Sequence, residues 1–300
     1  MNPRHVVLAV AVAVVWGVNF VVIEVGLEDM PPLLLSALRF AAAAFPAALL
    51  LGPPRVAWRY VVAVGLVLGV AKFGLLFVGM AHGMPAGLSS LVLQCQAVFT
   101  LLFAIVLLGE RPRPLQLLAI ATACVGIAIL AFGKGLTAPA GAFALVIAAG
   151  ACWGVSNIAT RHARPPDTLR FMVWVSAVAV VPLLLLSGLT EGWQRDVDAL
   201  RGFTWSAAGA VAYLAGAATL FGFGAWGYLL RRYDASTVAP FSLLVPVVGM
   251  AAAWLLRGER LTGLQLAASA LVITGMAGTA ARRRPAAPPA VVRTDEVVAA

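Results

Sequence analysis

Lys72 carries a charge in the middle of an apolar run. It lies about ten residues, roughly 15 Å at helical rise, from the far end of the stretch 58–81. A charge at that depth costs several kcal/mol unless it meets a wet cavity or a partner. Facing a cavity, its ammonium would bind the carboxylate of a small molecule. Snorkelling, bonds to backbone carbonyls or a neutral buried amine would account for it as well, and these readings stay open.

Other polar and aromatic side chains share this setting. Gln94 and Gln96 fall in the middle of Ala86–Arg111. Two positions apart on a helix, they point about 200° away from each other, so one can line a path while the other bonds a neighbouring helix. Ser89 and Ser90 open the same run and suit interhelical packing. Trp16-Gly17-Val18 returns as Trp153-Gly154-Val155, with Asn19 and Asn157 close behind. The two indoles lie about ten and about twelve residues into their runs, too deep for an interfacial tryptophan belt. Core packing and the lining of a pocket for a mostly apolar substrate remain equal readings, the adjacent glycine letting helices approach. Tyr213, with Trp226 and Tyr228, is a further pocket candidate. The candidate substrate-binding set is therefore Lys72, Trp16, Asn19, Gln94, Gln96, Trp153, Asn157 and Tyr213. Arg39 and Glu24 differ in depth by about one turn, which predicts an ion pair that offsets both desolvation costs. Glu24 as a proton carrier is the alternative.

Such residues have to be positioned by membrane spans. Apolar residues make up 62% of the chain, charged ones 11%, and mean hydropathy is +0.97. A helix needs about 20 largely apolar residues to cross roughly 30 Å of hydrocarbon. Ten spans follow, near 6–27, 33–51, 58–81, 86–108, 114–132, 141–160, 168–188, 204–229, 236–256 and 262–281, with Pro, Gly and charge marking the gaps. Barrel strands would alternate and be about half as long. The basic, apolar start resembles a secretory leader but lacks an A-x-A end, so it is read as the first span.

The chain is also doubled. Ala86–Arg111 and Ala235–Arg260 both run from a small residue to Gly-Glu-Arg at a constant offset of 149, which Gln116 and Gln265 continue. Five spans per copy is an odd number, so the second copy enters the membrane inverted, the plan of alternating-access transporters with a site between the halves. The predicted organisation is a first five-helix repeat at 1–132, a linker at 133–140, a second inverted repeat at 141–284 and a disordered tail at 285–300. With the N-terminus inside, 13 of the 21 Lys and Arg residues fall on the inner side and 5 in outer loops. That bias places both termini in the cytoplasm.

Several function classes are excluded. The net charge of +9 comes from arginines set singly or in small groups between apolar runs, which act as topology determinants and not as a nucleic-acid patch. Cys95, Cys124 and Cys152 lack metal or disulfide spacing. His5, His82 and His162 sit at span edges without HExxH, paired Asp or GxSxG, so no enzyme constellation is present, and no P-loop supplies ATP. No metal or cofactor is expected.

The stretches Trp16–Phe40, Gly83–Thr100 and Ala239–Met250, with both Gly-Glu-Arg ends, resemble the EamA branch of the drug/metabolite transporter superfamily. The resemblance covers about 280 residues. It implies an all-α membrane protein of ten helices in two inverted five-helix repeats, placed in the plasma membrane as an exporter of amino acids and related metabolites. Within that branch the chain is most similar to exporters of cysteine and O-acetylserine, with relatives for threonine, methionine or aromatic amino acids. A multidrug exporter of lipophilic compounds is the alternative, but it would want a membrane-embedded carboxylate where this chain has Lys72. Two halves already enclosing a site imply a functional monomer.

Overall fold

The computed structural model describes residues 1–132 and 138–280. Most of the expected linker at 133–140 and all of the expected tail at 285–300 lie outside them. The described residues are helical, with no strand among them. Among the described residues nine helices are long and apolar enough to cross a membrane: α1 (Pro3–Asp29), α2 (Pro32–Leu51), α3 (Trp58–Ala81), α4 (Ala86–Leu108), α5 (Pro114–Phe132), α6 (Ala140–Ala163), α7 (Thr168–Arg201), α8 (Trp205–Arg232) and α9 (Ala239–Arg257). A shorter apolar helix, α10 (Gly263–Gly278), follows. In hydrocarbon every backbone amide must be paired inside its own segment, so apolar runs of this length fold as helices.

Local signals set many of the ends. Asn2, Asp167 and Thr204 accept hydrogen bonds from backbone N–H groups in the first turns of α1, α7 and α8. Gly109 and Gly258, the glycines of the two Gly-Glu-Arg triplets, close α4 and α9 in the left-handed conformation (φ 65° and 69°) that a Cβ disfavours. Two helices lack a cap of their own and take one from elsewhere. α4 begins after Pro85, and the N–H groups of Ala86 and Gly87 donate to Glu259 at 2.8 and 3.0 Å. α2 begins after Pro31, and Leu33 N–H donates to Glu191 at 3.0 Å.

One element departs from expectation. α7 does not end near residue 188. It passes through a π-helical turn at Gly188–Gly192 and continues as Trp193–Arg201. Trp193, Val197 and Leu200 fall at helical spacing, so this polar extension is amphipathic, and it lies beyond the apolar part of the helix.

Packing pairs the first five helices with the last five. α1 packs on α9 and α4 on α6, α2 on α7, α5 on α10, α4 on α9, and α3 and α8 each lie against helices of the other half. Close approach depends on the glycines of the two Trp-Gly-Val triplets. A Cβ on Gly17 would lie 2.6 Å from Val248 of α9, and one on Gly154 would lie 2.8 Å from Phe99 of α4. The expectation that these glycines let helices close together is met in both halves. Midway along α3 and α8 the helices widen into π-helical turns, Gly65–Lys72 and Tyr213–Phe221. Such turns recur at functional sites because they displace side chains and loosen backbone groups.

Candidate substrate site

Lys72 closes the π-helical turn of α3 and is 3% exposed. Its Nζ lies 3.3 Å from the ring centre of Phe73 and 4.7 Å from that of Trp153 on α6. Lys72 and Trp153, two of the sequence candidates, thus meet. Phe73 also receives Arg39 of α2, whose Cζ is 4.4 Å from the same ring centre, with Phe40 and Phe77 at 4.9 and 5.9 Å. Arg39 is 2% exposed, and Nη2 donates to Thr219 Oγ1 at 2.9 Å. Thr219 sits in the π-helical turn of α8 and donates in turn to the Leu214 carbonyl at 2.8 Å.

The predicted pairing of Arg39 with Glu24 does not form. Glu24 bonds Arg257 of α9 at 3.1 Å, at the end of the bundle where α1 finishes, and Glu28 bonds the same guanidinium. Depth along a helix said that Glu24 and Arg39 were level, but rotation about the helix axes turns one toward α9 and the other toward α3 and α8. Among the described residues no carboxylate pairs with Arg39 or Lys72. Aromatic faces recover part of the cost of each buried cation, about 0.5–2 kcal/mol per contact. Nε and Nη1 of Arg39 are buried without a partner.

Of the remaining candidates Trp16 joins this cluster, and the others make contacts of their own. Trp16 Nε1 donates to the Ala218 carbonyl at 2.9 Å, next in sequence to Thr219, and its ring packs against Phe223 and Trp226. Contacts therefore run unbroken from Trp153 through Lys72, Phe73, Arg39 and Thr219 to Trp16. Tyr213 uses its hydroxyl on the Val15 carbonyl at 2.9 Å, which ties α8 to α1. Asn157 donates to Gln96 Oε1 at 2.9 Å and to Thr100 Oγ1 at 3.0 Å, a polar clasp between α6 and α4. Gln94 is buried on the same helix as Gln96, and Asn19 is buried on α1 with Oδ1 unpartnered. Sequence reasoning missed Arg39, Thr219 and the Phe73–Phe77 pair as parts of one cluster. The available signal was a cation followed by two aromatics one turn apart, Lys72-Phe73 with Phe77.

The two ends of the bundle differ. At one, Glu259 caps α4 while Arg257 holds Glu24 and Glu28. Burial pushes the Glu259 carboxyl up from its ordinary value of 4.5, partly offset by the two N–H groups it accepts from. At the other end, Glu110 pairs with Arg161 at 2.6 Å, and His5 meets the hydroxyl of Tyr233 at 2.7 Å.

Comparison with known proteins agrees with this architecture. A solved structure described only as the crystal structure of a protein shares the fold, with a TM-score of 0.59 over 93% of this chain and 96% of that one at 21% identity. A probable amino-acid metabolite efflux pump of Salmonella typhimurium is 42% identical over 282 residues, 92% of this chain and 94% of its own. Its Escherichia coli counterpart is 41% identical over the same shares. A probable terminal-alkyne amino-acid exporter of Streptantibioticus cattleyicolor is 29% identical, covering 93% of this chain and 96% of its own. The model of the EamA-like transporter family matches residues 4–132 and again 140–281, on either side of the α5–α6 connection. With that double match and relatives aligned nearly end to end, the chain belongs to the EamA-like transporter family of the drug/metabolite transporter superfamily.

Proposed function

We propose that this protein is a secondary transporter that exports amino acids and related small metabolites across the bacterial inner membrane by alternating access. The observation that carries the reading is Lys72. A lysine buried in an apolar helix, bedded on Phe73 and Trp153 and without a carboxylate partner among the described residues, suits the carboxylate of a transported molecule. The names of the 41–42% identical relatives point to the same substrate class.

In this reading α1–α5 and α6–α10 are two inverted repeats, and all ten helices cross the membrane. Support comes from the packing pairs, most of which survive when each helix is exchanged for the one five places away: α1 on α9 becomes α6 on α4, while α2 on α7 and α5 on α10 map onto themselves. The two π-helical turns and the two left-handed glycine caps repeat at corresponding positions. Both termini face the cytoplasm and one chain suffices for transport. The Glu259 and Arg257 contacts then close the outer end.

Proteoliposomes preloaded with single amino acids test the reading. Wild type should exchange cysteine, threonine, methionine or an aromatic amino acid, and Lys72→Ala should lose at least about ten-fold of that flux. Undiminished flux in the variant would demote Lys72 to packing. Transport of a lipophilic cation in place of every amino acid would overturn the substrate class.

A further inference from the structure

Arg39 and Lys72 lie on different helices yet share one ring. The distances of 4.4 and 3.3 Å to the centre of Phe73 hold the two cations within about 8 Å of each other. Both are almost wholly buried, and among the described residues neither has a carboxylate partner. Arg39 spends one nitrogen on Thr219 and leaves Nε and Nη1 buried with nothing to donate to. Two like charges removed from water repel, and orphaned guanidinium nitrogens add a desolvation cost that no group among the described residues relieves. An anion placed beside them removes both penalties together.

The same arrangement disfavours a positive group. A free amino acid brings an ammonium as well as a carboxylate, and the carboxylates paired within the described structure near α1 and α9 are engaged with Arg257 at the end of the bundle. Two of the aromatic faces beside the cations, Phe73 and Trp153, already receive Lys72, and Phe40 and Phe77 lie beside Arg39. We infer that Arg39 and Lys72 form a two-cation anion site that selects carboxylates whose amino group is acylated or absent over zwitterionic amino acids. The inference rests on the proposed transport function and narrows its substrate class. Arg39 contacts the carboxylate, and Thr219 is a positioning residue that holds one side of the guanidinium while the other stays free.

Counterflow in proteoliposomes of the full chain provides the test. Leucine, methionine, cysteine and phenylalanine are each supplied as the free amino acid, the N-acetyl acid and the amide, and scored as competitors. N-acetyl acids should compete at least about ten-fold better than the free amino acids, and the amides, which keep only a positive charge, should not compete. Arg39→Gln should reduce that preference to less than about two-fold, and Arg39→Lys should retain part of it. If Arg39→Gln does not fold, the ranking in the wild type decides alone. Free amino acids exchanging as well as their N-acetyl forms would overturn the inference and leave the transporter reading intact. Exchange of neither form would overturn both.

Discussion

Thr219 shows how much one hydroxyl carries. It accepts from Arg39 and donates its own hydrogen to the Leu214 carbonyl, inside the π-helical turn of α8. Thr219→Val keeps the shape and removes the acceptor, which should destabilise the protein by about 1–3 kcal/mol, since a buried charged donor is left unpaired. Thermal unfolding in detergent should show a lower midpoint, and Thr219→Ser should restore it. An unchanged midpoint for the valine variant would mean that Arg39 finds another acceptor. The Asn157–Gln96 clasp is a milder case. A double-mutant cycle on Asn157→Leu and Gln96→Leu should return a coupling of about 0.6–2 kcal/mol, the range of hydrogen bonds between membrane helices. Lys72 and Arg39 were both legible as buried cations from their depth alone. The partner of Arg39 was not, because depth places a residue along a helix axis while its partners depend on which neighbour the side chain turns toward.

At the scale of elements, the end of α4 that needs a cap receives it from a loop 173 residues away in sequence. The carboxylate of Glu259 faces the N–H groups of Ala86 and Gly87, with Glu24 raising its pKa and Arg257 lowering it; burial is the largest influence and lifts it above 4.5. A carboxyl whose pKa is raised on closure favours the closed form more when protonated. Closure at this end should therefore strengthen as the pH falls through the raised value toward 4.5, and weaken above that window. Spin labels at the exposed residues His82 and Thr262 would report it as a short-distance population that grows as the pH falls from 7.5 to 5. Glu259→Gln should flatten the pH response. A population that moves the opposite way would show that the ionised cap dominates. The glutamates of the two Gly-Glu-Arg triplets take different partners: Glu259 caps α4 and Glu110 pairs with Arg161. Which helix each would reach was not readable, because it depends on the docking of one half on the other. The helical extension Trp193–Arg201 was missed for a different reason: hydropathy falls there, and only the spacing of Trp193, Val197 and Leu200 betrays an amphipathic helix.

At the scale of the molecule, the halves interlock through small residues, as membrane helices must when no hydrophobic effect drives them together. Gly17 of α1 leaves room for Val248 of α9, and Gly154 of α6 for Phe99 of α4. Gly17→Leu or Gly154→Leu should cost about 1–3 kcal/mol through overpacking. Each should lower the unfolding midpoint and slow exchange, whereas Gly141→Ala, where a Cβ meets nothing within 4 Å, should change neither. Equal behaviour of the three variants would mean that the close contacts yield freely.

Composition and the length of the apolar runs determined by themselves that this is a helical membrane protein, and the constant offset pointed to a duplicated plan. They also marked Lys72, Trp16 and Trp153, because burial in hydrocarbon obliges backbone pairing within each run and makes every inner charge or deep indole conspicuous. Tertiary structure alone decided that Arg39 leaves Glu24 for Phe73 and Thr219, that Arg257 takes Glu24 instead, and that Lys72 lies against Trp153. Each of those contacts joins residues from different helices, and the rotation and docking of helices are set by side-chain fit across an interface that no single run contains.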